Sequence, residues 1–409
     1  MENRKYQNFL IFACFFIWIM MMGSKNVYTA EIVELQEIFS VGKQQVAMAM
    51  TYYFITYSIA QVILFFFMEK IDIKWFLGLC IFLSGIVTVL VAFVTGMWQM
   101  WWLLSLNGIL QAGVWGMCLA VLKRYLPEER LPFANTVMNV GMAVGGVISY
   151  GFAAVFVGIN MWNTPYIILG AILSVSAIVF FIAVYLCEKH VTVKKSFKSE
   201  IEEEHQPIIV LKSKTAKTLF LIISFVLSFF IHSVFYGTMN WLPDLMTEVH
   251  GLESHFGILI SVLAPIATIL GAVISIYHCE KYSNFIAVSV VYLAIGTALS
   301  LAMIFIFDIS VILSLVVLVA YLVIFQGTIS IVFAVLPLKM SGGISSGGLG
   351  CLMNAAGGFA AGFAPMIVGS IIETSGWQIS YVIVFIITIA LFIALLATMF
   401  LLNKNKKKA

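Results

Sequence analysis

Lys25 lies in the stretch MMMGSKNVYTAEIVELQEIFS, Met20 to Ser40, and no later hydrophobic segment contains another Lys, Arg, Asp or Glu. A charge inside hydrocarbon is costly and is turned toward a partner or water. As a fixed cation, Lys25 would attract an anionic solute, most simply one carboxylate; the alternative is an ammonium that snorkels to the membrane interface. Lys25 shares a helix face with Met21 and Tyr28, and Glu31, six residues on, is a candidate salt partner or proton carrier. Polar and aromatic residues at i, i+4 and i+8 fall on one helix face. Three such stripes occur: Tyr53, Tyr57 and Gln61; Asn107, Gln111 and Trp115; His232, Tyr236 and Asn240. Tyr321, Phe325 and Gln326 form a looser fourth. Each stripe could contact a solute or serve only interhelical hydrogen bonding and core packing. His232 is the one deep group expected to titrate near neutrality, so it joins Glu31 as a candidate coupling residue.

The elements that position these residues follow from composition. With 62% hydrophobic and 10% charged side chains over 409 residues, and a mean hydropathy of +1.07, the chain falls outside the soluble globular class. A bilayer core about 30 Å thick needs roughly 20 apolar residues per helix. Spans are predicted over 9–30, 46–68, 75–96, 99–122, 133–157, 164–187, 218–241, 256–277, 284–307, 309–333, 346–371 and 378–402. No alternating ten-residue pattern occurs, so helices rather than a barrel must satisfy the backbone. The six cysteines lack metal-ligand spacing and read as small packing residues. MENRKYQNFL leads into a span too long for a signal sequence's apolar region and reads as a retained helix.

Placing the N-terminus in the cytoplasm puts every Lys and Arg inside except Lys25 and Lys43, which predicts a multi-pass plasma-membrane protein with both termini cytoplasmic. The basic residues are then topological anchors and carry no implication of nucleic-acid binding. Residues 1–187 would form one six-helix half, 188–217 a cytoplasmic linker and 218–409 the second half. The linker's Glu202, Glu203, Glu204 and His205 read as a solvated face, and no metal or other cofactor is expected. Asn139, Trp162 and Tyr166 recur 215 positions later as Asn354, Trp377 and Tyr381. Both asparagines lead Gly-rich runs, NVGMAVGG and NAAGGFAAG, suited to close helix packing. Two matching halves are the signature of a transporter built from repeats, with a solute site near the midplane.

With these landmarks the chain resembles the major facilitator superfamily over nearly its whole length. FFFMEKIDIKW is similar to that superfamily's G-x-x-x-D-R-x-G-R-K gating motif, with Glu69 for the Asp, Lys70 for the Arg and Lys74 for the last basic residue, but Phe65 and Asp72 for the glycines. The resemblance implies a gating charge cluster of Glu69, Lys70 and Lys74, to which Arg124 on the cytoplasmic side is added. It implies an all-α membrane fold of twelve transmembrane helices in two pseudo-symmetric six-helix halves. Helices 1, 4, 7 and 10 would line a central cavity, with 2, 5, 8 and 11 beside them. SKNVYTAE and YGTMNWLPDLM are similar to segments of the organophosphate:phosphate antiporter branch and its organic-anion relatives. Ser24 and Phe235 stand where that branch has its phosphate-binding arginines, Gln61 where it has a lysine and Met138 where it has a histidine. Without guanidinium forks a dianionic phosphate is poorly served. The expected activity is secondary transport of a small organic anion by a monomer in the lipid bilayer, through proton symport, exchange or facilitated movement. A non-transporting solute sensor and an efflux pump for amphipathic compounds remain open alternatives. Enzymatic motifs such as HExxH or a P-loop are absent from the sequence.

Overall fold

A computed structural model describes residues 2–67, 71–191, 214–282, 285–332 and 346–406. Among these the chain is helical, with no strand. Eleven stretches are long and apolar enough to cross a membrane. The last, Leu352–Ala397, has 46 residues, about 69 Å at 1.5 Å per residue and more than twice the hydrocarbon thickness. It is broken at Gly376, whose φ of 83° and ψ of 170° leave the helical region. Two spans therefore lie there, and the count is twelve.

The described residues divide into two compact units. The first holds those up to 191 together with Leu252–Pro265. It contains α1 (Glu2–Ala30), α2 (Ile32–Phe39), α3 (Lys43–Phe67), α4 (Ile73–Val91), α5 (Met97–Gln111), α6 (Val114–Tyr125), α7 (Leu131–Val157) and α8 (Thr164–His190). To these it adds α11 (Ser254–Ile260), which packs on α7. α1 packs on α7 and α8, α3 on α5, and α4 on α8. Two glycines set the α4–α8 contact: a Cβ on Gly85 would lie 2.5 Å from the Gly170 carbonyl, and one on Gly170 would lie 2.7 Å from that of Gly85. Small residues let membrane helices approach this closely, where dispersion rather than hydrophobic burial holds them. Glu31 interrupts α1 and α2, and Ser40 ends α2 in the left-handed region at φ 49°.

The second unit holds the described residues from 214 to 251 and from 266 onward. It contains α9 (Lys214–Met239), α10 (Leu242–Asp244), most of α12 (Leu263–Tyr282), α13 (Phe285–Ile306), α14 (Val311–Ser330) and α15 (Ser346–Lys406, interrupted at Gly376). α9 packs on α14 and α15, and α13 on α14 and α15. The seventh span runs further than the sequence suggested. Apolar helix continues through α10 and a wider π-type turn, Leu245–Val249, to make one stretch Lys217–Val249. Pro243 sits in the first turn of α10, where its missing N–H costs nothing. Trp241 anchors the junction: its Nε1 donates to the Pro365 carbonyl at 2.9 Å, and its ring occupies the place a Gly369 Cβ would take, 2.3 Å away. This extension brings an Asp into a span that was expected to end at 241. Asp244 is 3% exposed, carried inward between buried Leu242 and Leu245.

Candidate functional site

Lys25 is half-buried on α1. Its ammonium lies 5.5 Å from the centroid of the Phe54 ring on α3, with no carboxylate at ion-pair distance among the described residues. The ring's negative face attracts the cation, a contact that the sequence reading of Tyr53, Tyr57 and Gln61 passed over. Phe54 meets Tyr53 edge-on at 5.1 Å and Tyr57 edge-on at 6.4 Å, while Tyr53 and Tyr57 stack at 6.0 Å. One turn on, the Gln61 amide donates to the Tyr57 hydroxyl at 3.4 Å. Lys25, Phe54, Tyr57 and Gln61 are all partly accessible. Tyr28, by contrast, is fully buried, and its hydroxyl donates to the Val46 carbonyl, tying α1 to α3. Ser24 is buried with its hydroxyl donating to the Met21 carbonyl at 2.9 Å.

Tyr53, Asn107 and Gln111 are drawn into a relay inside the first unit. Tyr53 donates to Gln111 Oε1 at 2.7 Å, and Gln111 donates to Ser84 Oγ at 2.8 Å. Ser84 donates to Asn107 Oδ1 at 2.7 Å, Asn107 donates to Thr88 Oγ1 at 3.0 Å, and Thr88 ends the relay on the Ser84 carbonyl at 2.8 Å. All five side chains are buried. In a region without water each such bond removes a desolvation penalty, so the relay holds α3, α4 and α5 together. Trp115 packs on Trp18 at 4.8 Å.

Glu31 is 0% exposed, and neither carboxyl oxygen has a hydrogen-bond partner. The Tyr166 hydroxyl lies beside it but outside hydrogen-bonding geometry, and is itself without a partner. Glu31 sits in the break beyond the span Asn3–Ala30. Burial, the largest influence, pushes its carboxyl well above the ordinary range; the Tyr166 hydroxyl opposes this and Glu34 adds to it. An unpaired ionised carboxylate at such a place costs several kcal/mol, so burial favours the protonated carboxyl in this conformation. An apolar cluster of Ala30, Tyr150, Ala153, Ala154, Val157 and Ile258 packs next to it in sequence and in the same unit.

In the second unit His232 is 8% exposed, with Nδ1 2.7 Å from the Ser228 carbonyl. A carbonyl only accepts, so Nδ1 carries a proton. The ring stacks on Tyr236 at 6.1 Å, and a Cβ on Gly357 would stand 2.9 Å from Nε2. Tyr321 is buried, donating to the Val234 carbonyl at 3.0 Å with its ring 4.4 Å from Phe325. Asn240 is buried, and Gln326 is half-buried against Gly271. Phe235, at the position of the second expected arginine, is buried beside Tyr236.

Of the gating group, Glu69 and Lys70 lie outside the described residues. Lys74 bonds both oxygens of Glu188 at 3.1 Å, within its own unit, and Tyr125 donates to the same carboxylate at 3.2 Å. Arg124 is exposed, its guanidinium 5.8 Å from the Tyr125 ring centre. Asp72 caps α4 by accepting from the Lys74 backbone N–H. A groove of about 520 Å³ beside it, lined by residues such as Trp75, Phe82 and Phe181, is apolar and touches none of the solute-binding candidates.

No curated protein sequence matches the chain. Among solved structures, it is similar to a bacterial homolog of the human lysosomal transporter Spinster, in an inward-facing and unoccupied conformation. That match has a TM-score of 0.74 and 14% identity, and covers 95% of this chain and 97% of the other. The nucleoside transporter NupG gives a TM-score of 0.68 at 15% identity over 98% and 99%. The sequence profile of the Major Facilitator Superfamily matches residues 13–350, more than half the chain. Twelve apolar spans, a duplicated set of landmarks and that match lead to one conclusion: the chain belongs to the Major Facilitator Superfamily, whose members move small solutes across membranes by alternating access.

Proposed function

We propose that this transporter carries a small organic anion, most simply a monocarboxylate. One observation carries the reading: the half-buried Lys25 ammonium is held over Phe54 with no carboxylate to neutralise it among the described residues. An anion is the partner such a charge lacks. Ser24 and Phe235 turn into helix packing, which supports one negative charge rather than the dianion that the organophosphate branch recognises with arginines. Tyr57 and Gln61, partly accessible members of one stripe, complete the proposed contacts within the first unit. Tyr28, Tyr53, Asn107, Gln111 and Trp115 support them within that unit, and Tyr236, Asn240, Tyr321 and Gln326 are proposed separately as solute contacts of the second unit.

Glu31 and His232 are the proposed coupling groups. Glu31 would hold a proton in the conformation described and release it when that end of α1 opens to water. The Lys and Arg distribution supports cytoplasmic placement of both termini, and a monomer in the plasma membrane is proposed with it.

Flux into liposomes holding the purified protein tests the reading. Uptake of an accepted carboxylate should fall at least tenfold in Lys25→Gln. Uptake that is indifferent to this change would sink the anion reading, and a carboxylate bound but never moved would favour a sensor.

A further inference from the structure

The aromatic groups around Lys25 are more than a single anion needs, and they are arranged in order along α3. Phe54 stands level with the ammonium. Tyr57 presents a second ring edge-on to it, and Gln61 closes the row by bonding the Tyr57 hydroxyl. At 1.5 Å per residue, Phe54 to Gln61 covers about 10 Å along the helix. A cation at one end, ring faces between and an amide–hydroxyl pair at the other make a row with a charged end, an aromatic middle and a polar far end.

Resting on the carboxylate reading above, we propose that the solute is a planar aromatic monocarboxylate, its carboxylate on Lys25 and its ring packed against Phe54 and Tyr57. The cation–π contact keeps the ammonium satisfied while the site is empty. An arriving carboxylate replaces a weak partner with a charge-assisted hydrogen bond. The ring it brings then restores the aromatic contacts that the ammonium gives up when it swings to the oxygen. An aliphatic acid of the same size and charge makes the first exchange but not the second. A hydroxyl opposite the carboxylate would reach toward the Tyr57–Gln61 pair. The row lies within α1 and α3 of the first unit, held from behind by Tyr53, whose hydroxyl is committed to Gln111.

Benzoate and cyclohexanecarboxylate share charge and ring size but differ in π-character, so they separate this class from carboxylates in general. Full-length protein in liposomes should take up benzoate about three- to tenfold better than cyclohexanecarboxylate, the range that ring–ring contacts supply. Phe54→Leu and Tyr57→Leu should erase that preference, bringing uptake of the two acids to within about twofold of each other. Lys25→Gln should abolish uptake of both. Equal handling of the two acids by the unaltered protein overturns the aromatic class while leaving the carboxylate reading intact, and it requires no variant to fold. A preference that survives both leucine substitutions overturns it as well. Uptake of neither acid overturns it, and uptake that ignores Lys25→Gln overturns both readings.

Discussion

The two units treat the same landmark differently. Trp162 and Tyr166 open α8, and 215 positions later Trp377 and Tyr381 follow the break at Gly376. The rings of the first pair lie 6.1 Å apart and those of the second 6.3 Å. Each pair meets a carboxylate that follows the first long helix of its unit. In the first unit the meeting is between Tyr166 and Glu31, buried and without a hydrogen bond at either oxygen. In the second the Trp377 indole donates to exposed Glu248 at 2.9 Å. Glu248 has solvent and a donor, whereas burial around Glu31 favours its protonated form. Duplication preserved the aromatic scaffold but left the carboxylate of the first copy buried where that of the second is exposed.

The largest expected effect separates these two acids directly. Glu31→Gln should remove the pH dependence of solute uptake, a change of tenfold or more across pH 5 to 8, while Glu248→Gln alters it by less than about twofold. Equal effects of the two would break the comparison. Stability gives the next test. The folded protein holds the Glu31 proton more tightly than the unfolded chain, so stability is full below the ordinary carboxylate range and is lost as pH rises above it. The melting temperature in detergent should therefore fall by several degrees between pH 5 and 8 in the unaltered protein and stay flatter in Glu31→Gln. A rise with pH would contradict the neutral, unpaired carboxyl.

Removing one indole N–H sharpens the other side. Trp377→Phe deletes a hydrogen bond to a charged group and should cost about 1 kcal/mol after allowing for solvent exposure of Glu248. Trp162→Phe deletes none and should fall within about 0.5 kcal/mol, both read from thermal shifts. Gly357→Ala is the smallest change and specific to the second unit, since Met142 stands at the corresponding position of the first. The added methyl group must displace the His232 imidazole. Its ring proton signals should shift, with a stability loss of about 1 kcal/mol if the ring gives way.

Twelve spans, the repeat and the isolation of Lys25 were legible in the sequence, because hydrocarbon thickness and the cost of charge act on composition alone. The environment of Glu31 was not, because the apolar run ends at Ala30 and its burial comes from Tyr166 and other distant residues folding over it. Helical periodicity correctly put Asn107 and Gln111 on one face. It could not tell that Ser84 and Thr88, ordinary small residues of the preceding helix, would use up their hydrogen-bonding capacity. Phe54 carries no signal among 34 phenylalanines; only its place beneath an ammonium distinguishes it. Asp244 was missed because Pro243 reads as the end of a helix, when here it begins a new turn of the same span.

The relay from Tyr53 to Thr88 also bears on the history of this chain. Every internal member both gives and takes a proton bridge, so replacing one strands two neighbours in oil. Chance substitution at Ser84, Asn107 or Gln111 is therefore purged unless a second change arrives with it. Across descendants these positions should vary as a set, leaving a record of linked inheritance where the surrounding lipid-facing residues drift independently.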